Sequence, residues 1–273
     1  MPLDEGRIRD MAARMRRRII DMARECGGNA HLGAGLSIVE IMAVLYSAVM
    51  NFDPACPKNP ERDRFILSKG HGVLGYYTAL ALTGVFPVET LKTFQQNGTD
   101  LVAHPVMNPR MGIESSNGSL GQGLSFAVGI ALSAKLHKKE FRTYALLGNG
   151  ECNEGSVWEA VMAASQFELD NLTAVVDCND MQSDGESVEI MNLSPIEDKF
   201  AAFGWKTVAV DGHNIRELYG ALASRDFDGR PTAVMAHTVK GKGISFMERG
   251  KDWHHNRLTQ SLYEQAVAEL EAI

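Results

Sequence analysis

A rhythm that begins near residue 142 constrains this chain more than any other feature. Four short apolar runs, "TYALL", "LTAVVD", "KTVAVDG" and "TAVMAHTV", alternate with the helical segments "SVWEAVMAASQFEL", "IEDKFAAFG" and "NIRELYGALAS". Apolar strands alternating with helices predict a parallel sheet sandwiched by helices, an α/β fold. In such sheets ligands bind outside the carboxyl ends of the strands. Asn149 and Asn179 stand at two of those ends, with glycines around the first.

Upstream, "RDMAARMRRRIIDMARECG" carries Met11, Met15, Ile19, Met22 and Ala23 on one helical stripe that Gly27 and Gly28 stop. "LSIVEIMAVLYSAVM" reads as a second helix with Ser37 as its N-cap, and Met42 on its apolar stripe. "RFIL" is a short strand entering the turn "SKGHG", and the helix "VLGYYTALALTG" follows. Residues 95–123 are rich in Gly, Asn, Pro and Ser, which suggests an ordered loop beside a site. "LSFAVGIALSAKLHKK" resumes a helix, and "LTQSLYEQAVAELEAI" closes the chain as another. With no repeat and no linker-like stretch, residues 1–273 read as a single domain.

A net charge of −7 offers no electrostatic footprint for nucleic acid or an anionic membrane surface. The basic cluster "RIRDMAARMRRR" is the wet face of a helix. No apolar run reaches a membrane-spanning length, and "MPLDEGRIRD" has no signal-peptide core. Cys26, Cys56, Cys152 and Cys178 form no CxxC pair, so reduced thiols and a cytoplasmic location are expected.

The stretch "GNGE" follows a strand and leaves its backbone open to close approach, because Gly148 and Gly150 have no Cβ. The helix after it offers N-terminal amides to an anion. Asn149 and Asn179 each carry an amide oxygen for a hard divalent cation, and Mg²⁺ favours such oxygens together with phosphate oxygens. The combination predicts a phosphate–metal clamp.

The stretch "ECNEGSVWEAVMAASQFELDNLTAVVDCNDMQSDG" resembles the thiamine-diphosphate-binding motif of transketolases, most closely the N-terminal half-proteins of split transketolases. The resemblance extends over "HLGAGLS", "RDRFILSKGHG", "AHP", "GSLGQGLSFAVGIAL" and "HTVKGKGISFMERGKDWH", in the family's order. It implies a thiamine-diphosphate-binding fold of the diphosphate-binding type. It further implies that Asn149, Asn179 and the carbonyl of Met181 ligate Mg²⁺, or Ca²⁺ or Mn²⁺, on the diphosphate. Gly148, Gly150 and Glu151 belong to the same turn, with the Gly150 amide donating to the diphosphate. Gly118 and Leu120 would present backbone to the aminopyrimidine. His71 would lie against the diphosphate and the reacting carbons. His31, His104 and His254 would line the substrate channel, where imidazoles hydrogen-bond sugar hydroxyls and move protons. Glu154 would sit at a subunit interface, in contact with the partner's cofactor-activating glutamate.

The implied function is the N-terminal subunit of a heteromeric transketolase that moves a two-carbon ketol unit between sugar or sugar phosphate substrates. Its partner would be a C-terminal subunit with the pyrimidine-binding domain, in an α2β2 heterotetramer. The same chemistry on a modified sugar or acyl donor is an alternative. So is a cofactor-impaired, non-catalytic homologue, because the family motif has aspartate where this chain has Asn149. The amide removes one ligand charge, which weakens Mg²⁺ binding by about 1–3 kcal/mol. His137, His213 and His237 are read as ordinary polar groups, and Met162 and Trp158 as packing residues. His255 competes with His254 for one motif position.

Overall fold

The computed structural model describes residues 3–224 and 228–272. Helix α1 (Glu5–Glu25) starts where the Asp4 carboxylate accepts a hydrogen bond from the Arg7 amide, and it buries Ile8, Met11, Met15, Ile19 and Met22 along one stripe. The two-residue strand β1 (Asn29–Ala30) leads into α2 (Leu32–Ser37) and α3 (Val39–Val44), which continues through a π-turn over Leu45–Val49. The single helix expected here is therefore broken at Ile38, and Ser37 ends α2 instead of capping a helix. The Ser37 hydroxyl turns inward and donates to Asp177 Oδ2 at 2.7 Å, a tertiary bond that no local pattern encodes.

Strand β2 (Arg64–Leu67) and helix α4 (Val73–Thr83) follow as expected, and the segment after Phe94 runs irregularly to α5 (Gln122–Leu136). Then come β3 (Thr143–Gly148), α6 (Gly155–Gln166), β4 (Leu172–Cys178), the single turn α7 (Ser187–Ile190) and α8 (Ile196–Ala202). Strand β5 (Lys206–Asp211), α9 (Ile215–Ala223), β6 (Thr232–His237), β7 (Asn256–Arg257) and α10 (Gln260–Glu271) complete the described chain.

The main sheet has the order β2-β3-β4-β6-β5, and every neighbouring pair is parallel. Side chains alternate between its two faces, as the pleat requires. Tyr144, Leu146, Val175 and Val234 join the core under α1, α3, α4 and α9. Ala145, Leu147, Val176 and Met235 join a second core under α5, α6 and α8. Both faces are thus apolar, which explains the continuous hydrophobic strands. Helix α6 buries Val157, Ala160, Val161 and Ala164, and this leaves Met162 on the outer face, 49% exposed, against the packing role expected for it. Trp158 lies at the core's edge, its ring 5.4 Å from Phe200 and its Nε1 donating to the Cys152 carbonyl at 2.9 Å.

The carboxyl ends of β2, β4 and β6 meet at Asp177, which is fully buried. Lys69 Nζ, just beyond β2, donates to its Oδ2, and Thr238, just beyond β6, donates to its Oδ1. Ser37 and Asn179 Nδ2, at 2.7 and 2.9 Å, complete the set on Oδ2. Burial alone would raise this carboxyl, but the charge and hydrogen bond of Lys69, with the bonds from Thr238 and Ser37, bring it below its ordinary range. Asp177→Asn keeps the shape and leaves Lys69 as a buried cation without its counter-charge. Urea denaturation is expected to show a loss of about 3–5 kcal/mol of stability.

Candidate functional site

The loops that leave β2, β3, β4 and β6 enclose a cavity of about 320 Å³. His31, His71, His104 and His254 border it, as do Gly118 and Leu120 from the segment before α5. Gly148, Asn149, Gly150 and Glu151, from the turn after β3, face the same space, with Asn179 and Met181 from the loop after β4. Of the residues expected at a site, Glu154 alone is absent from this wall; it is exposed, immediately before α6.

The turn after β3 is shaped by contacts that the side chains make inward. The Glu151 carboxylate accepts from Ser68 Oγ at 2.5 Å, from the Gly121 amide at 2.9 Å and from the Gly148 amide at 3.1 Å. One side chain thereby joins the ends of β2 and β3 to the start of α5. Burial raises its carboxyl pKa, opposed by these donors. At Gly150 a Cβ would stand 2.8 Å from the Gln182 side chain, so the close approach of the two loops requires glycine there. Asn149 Nδ2 donates to Ser187 Oγ at 2.9 Å, and Asn179 Oδ1 accepts from the Met181 amide at 3.1 Å. A second cavity of about 300 Å³ lies on the other side of Asn149, Asn179 and Met181, beneath residues 186–196.

His31 is the centre of the imidazole group. Its ring centroid is 5.5 Å from those of His71 and His104, and 5.4 Å from that of His254. His254 borders the cavity, whereas His255 is exposed and packs on His31 with ring centroids 4.4 Å apart. The β1–β7 pairing, Asn29 with Arg257 and Ala30 with Asn256, holds these neighbours in place. Burial, followed by the charges of surrounding histidines and Lys240, lowers His31 to about 3. Burial and Lys240 lower His254 to about 4, and burial with Lys69 holds His71 well below its ordinary range. His104 is lowered as well, by burial and His255. At neutral pH the four rings are therefore uncharged, each with one N–H donor and one acceptor nitrogen.

Sequence reasoning overlooked two lysines. Lys69 and Lys240 both border the cavity, each 1% exposed. Lys240 Nζ donates to the Gln182 carbonyl at 2.9 Å and to His254 Nδ1 at 2.8 Å, and burial followed by Lys69 lowers it to about 8. Its position just after β6, in "HTVKGKG", was a usable signal, since the carboxyl ends of parallel strands are where ligands bind. The remaining histidines lie elsewhere. His213 bridges Glu40 and the Val239 amide, and His137 and His237 are exposed.

The wall is suited to an anion accompanied by a hard cation. Lys240 supplies positive charge, Lys69 being paired with Asp177, while Asn149, Asn179 and the Met181 carbonyl supply neutral oxygens. Among the described residues no group of three or more His, Cys, Asp or Glu side chains is placed to hold a metal ion. A cation here would draw its counter-charge from the ligand, as Mg²⁺ does with phosphates.

Residues 8–270 match the family described as transketolase, thiamine diphosphate binding domain. The chain belongs to the transketolase family. It is 46% identical over 245 residues to the 6-deoxy-6-sulfo-D-fructose transketolase subunit SqwG of Clostridium sp. (strain MSTE9), covering 89% of each chain. It is 40% identical to an apulose-4-phosphate transketolase subunit of Actinobacillus succinogenes, covering 98% of this chain and 97% of that one. Among solved structures, transketolase from Campylobacter jejuni matches with a TM-score of 0.91 at 27% identity. That match covers 98% of this chain and 43% of the other, so the chain spans less than half of that transketolase. The α/β fold is that of the family's thiamine-diphosphate-binding domain. Among the described residues no helix is long and apolar enough to cross a membrane.

The imidazoles give the fold a particular acid response. His31 is neutral in the folded chain down to about pH 3, but protonates near its ordinary value of 6.5 when unfolded. Between these values the unfolded state binds more protons, so stability falls as pH is lowered. His31→Asn is expected to flatten that decline between pH 6.5 and about 3, read as urea midpoints across pH. An unchanged slope would show that His31 titrates normally in the fold.

Proposed function

We propose that this chain is the diphosphate-binding subunit of a two-component transketolase. Together with a subunit that carries the pyrimidine-binding half, it transfers a two-carbon ketol unit between sugar substrates. The observation that carries this reading is one shared cavity. It joins the Asn149–Asn179–Met181 oxygens, the Gly150 turn, two buried lysines and four neutral imidazoles at the carboxyl ends of the sheet. Thiamine diphosphate, when bound, supplies the carbon nucleophile and the electron sink for the transfer.

The chain's own residues hold and orient. Asn149, Asn179 and the Met181 carbonyl hold Mg²⁺, or Ca²⁺ or Mn²⁺, against the diphosphate, and the Gly150 amide donates to its oxygens. Lys240 adds a charge on the same side. Gly118 and Leu120 face the aminopyrimidine with backbone groups. His31, His71, His104 and His254 hydrogen-bond the sugar hydroxyls and carry protons to and from them, a role that uncharged rings with one donor and one acceptor can fill. Glu154, exposed beyond the cavity, meets the partner subunit. Two copies of each subunit form the active assembly.

The names of two relatives support a substrate class. Both are named for sugars that carry a sulfonate or a phosphate. The same class, an anionic ketose, is proposed here. Three measurements test the reading. Full-length chain alone is expected to show no ketol transfer with a panel of phosphorylated and sulfonated ketoses, and activity is expected once the partner subunit is added. Transfer by the isolated chain would refute the two-component reading. The mass of the mixed pair in solution reports its stoichiometry. In calorimetry, Asn149→Asp is expected to tighten Mg²⁺-dependent binding of thiamine diphosphate by about 1–3 kcal/mol, because a carboxylate adds charge to the ligand set. Unchanged affinity would remove Asn149 from the cation's shell.

A further inference from the structure

A carboxylate presents oxygen at both ends, but a carboxamide presents oxygen at one and an NH₂ donor at the other. An asparagine therefore ligates a hard cation only when its oxygen is turned the right way. At Asn179 this orientation is imposed by Asp177, whose Oδ2 accepts from Nδ2 at 2.9 Å. Asp177 accepts from all four of its donors, and with Nδ2 turned toward it the Asn179 oxygen faces the other way, where it meets the Met181 amide.

Asn149 is 5% exposed and has a matching partner. Its Nδ2 donates to Ser187 Oγ at 2.9 Å, and among the described residues its Oδ1 accepts no hydrogen bond. Ser187 is itself anchored. The chain after Asn179 folds into a tight hairpin, with Gln182 N bonded to the Gly185 carbonyl at 2.8 Å and Met181 bridged to Glu186. The Ser187 amide then donates to the Asp180 carbonyl at 2.9 Å, which fixes its hydroxyl relative to Met181. One hairpin thus carries both the Met181 carbonyl and the acceptor for the Asn149 amide.

We propose that Ser187 is a positioning residue for the cation: by accepting the NH₂ of Asn149, it turns Oδ1 toward the oxygens of Asn179 and Met181. This rests on the reading that Asn149 holds the cation on the diphosphate. The hydroxyl matters because it is both donor and acceptor. It can donate to a carboxylate at position 149, and it can equally accept from the amide that this chain carries. A cation-bound Asn149 without that acceptor would bury its NH₂ unpaired.

The isosteric pair Ser187→Thr and Ser187→Val separates the hydroxyl from the space it fills. Binding of thiamine diphosphate to the full chain is measured by calorimetry, in Mg²⁺ and in EDTA, with thermal unfolding alongside. Ser187→Thr is expected to bind as the unsubstituted chain does. Ser187→Val is expected to lose about 3- to 10-fold in Mg²⁺-dependent affinity, the worth of one neutral hydrogen bond. Its affinity in EDTA should be unchanged, and its Tm should fall by the cost of leaving the buried Asn149 NH₂ unpaired. Equal affinity of the two variants in Mg²⁺, or an equal loss by Val in Mg²⁺ and EDTA, would overturn the positioning role while leaving the cation reading intact. If the unsubstituted chain shows no Mg²⁺ dependence, the cation reading itself fails, and this inference with it.

Discussion

A buried ion pair at the end of the central strand organises this molecule. Asp177 closes the gap between β2 and β6 because Lys69 and Thr238 both reach it, and it draws in Ser37 from α2. Removing two charges from water is costly, and their attraction offsets that cost only when the remaining hydrogen-bonding capacity is used. Here Oδ2 receives three donors and Oδ1 a fourth. The pair therefore ties one edge of the sheet to its middle at the end where the ligand cavity opens. Its further bond to Asn179 orients a side chain in the cavity wall.

The cavity's electrostatics differ from those of the whole chain. A net charge of −7 would repel a diphosphate at long range, yet the wall contains Lys240, a Lys69 already paired with Asp177, and one carboxylate, Glu151, whose oxygens are occupied by donors. Local charge decides binding once solvent is excluded, since screening is weak there. The same exclusion keeps the imidazoles uncharged. Their crowding around His31 adds to the effect, because each ring that gained a proton would meet neighbours that disfavour it.

Much of this site is legible in the chain without any coordinates. Asn149 and Asn179 are reached by following strand–helix alternation to the strand ends, and periodicity alone is enough for that step. His31, His71 and His104 follow from the family resemblance, which fixes which loops meet. The structure then separates His254 from His255 by setting one against the cavity and the other on the outer side of His31. Lys240 is easily passed over although it follows β6, because a lysine next to glycines reads as a solvated turn until its burial is known. Ser187 gives no signal at all. Its contact with Asn149 spans 38 positions and depends on a hairpin whose register is set by backbone bonds.

Two local expectations fail for one reason. Ser37 reads as a helix cap, and Met162 as part of a packed stripe, from patterns that describe a helix in isolation. Neighbouring elements decide which face of a helix is covered and which acceptor a hydroxyl finds. The sequence by itself determined the α/β class, the parallel sheet, and the pair of asparagines at its carboxyl end, since these follow from periodicity and short-range chain geometry. Only the tertiary structure decided which way each amide faces, which lysines lose their water and which imidazoles stay neutral. Those properties arise from groups far apart in the chain that share a dry space, and hydrogen-bond direction and desolvation are set by that company.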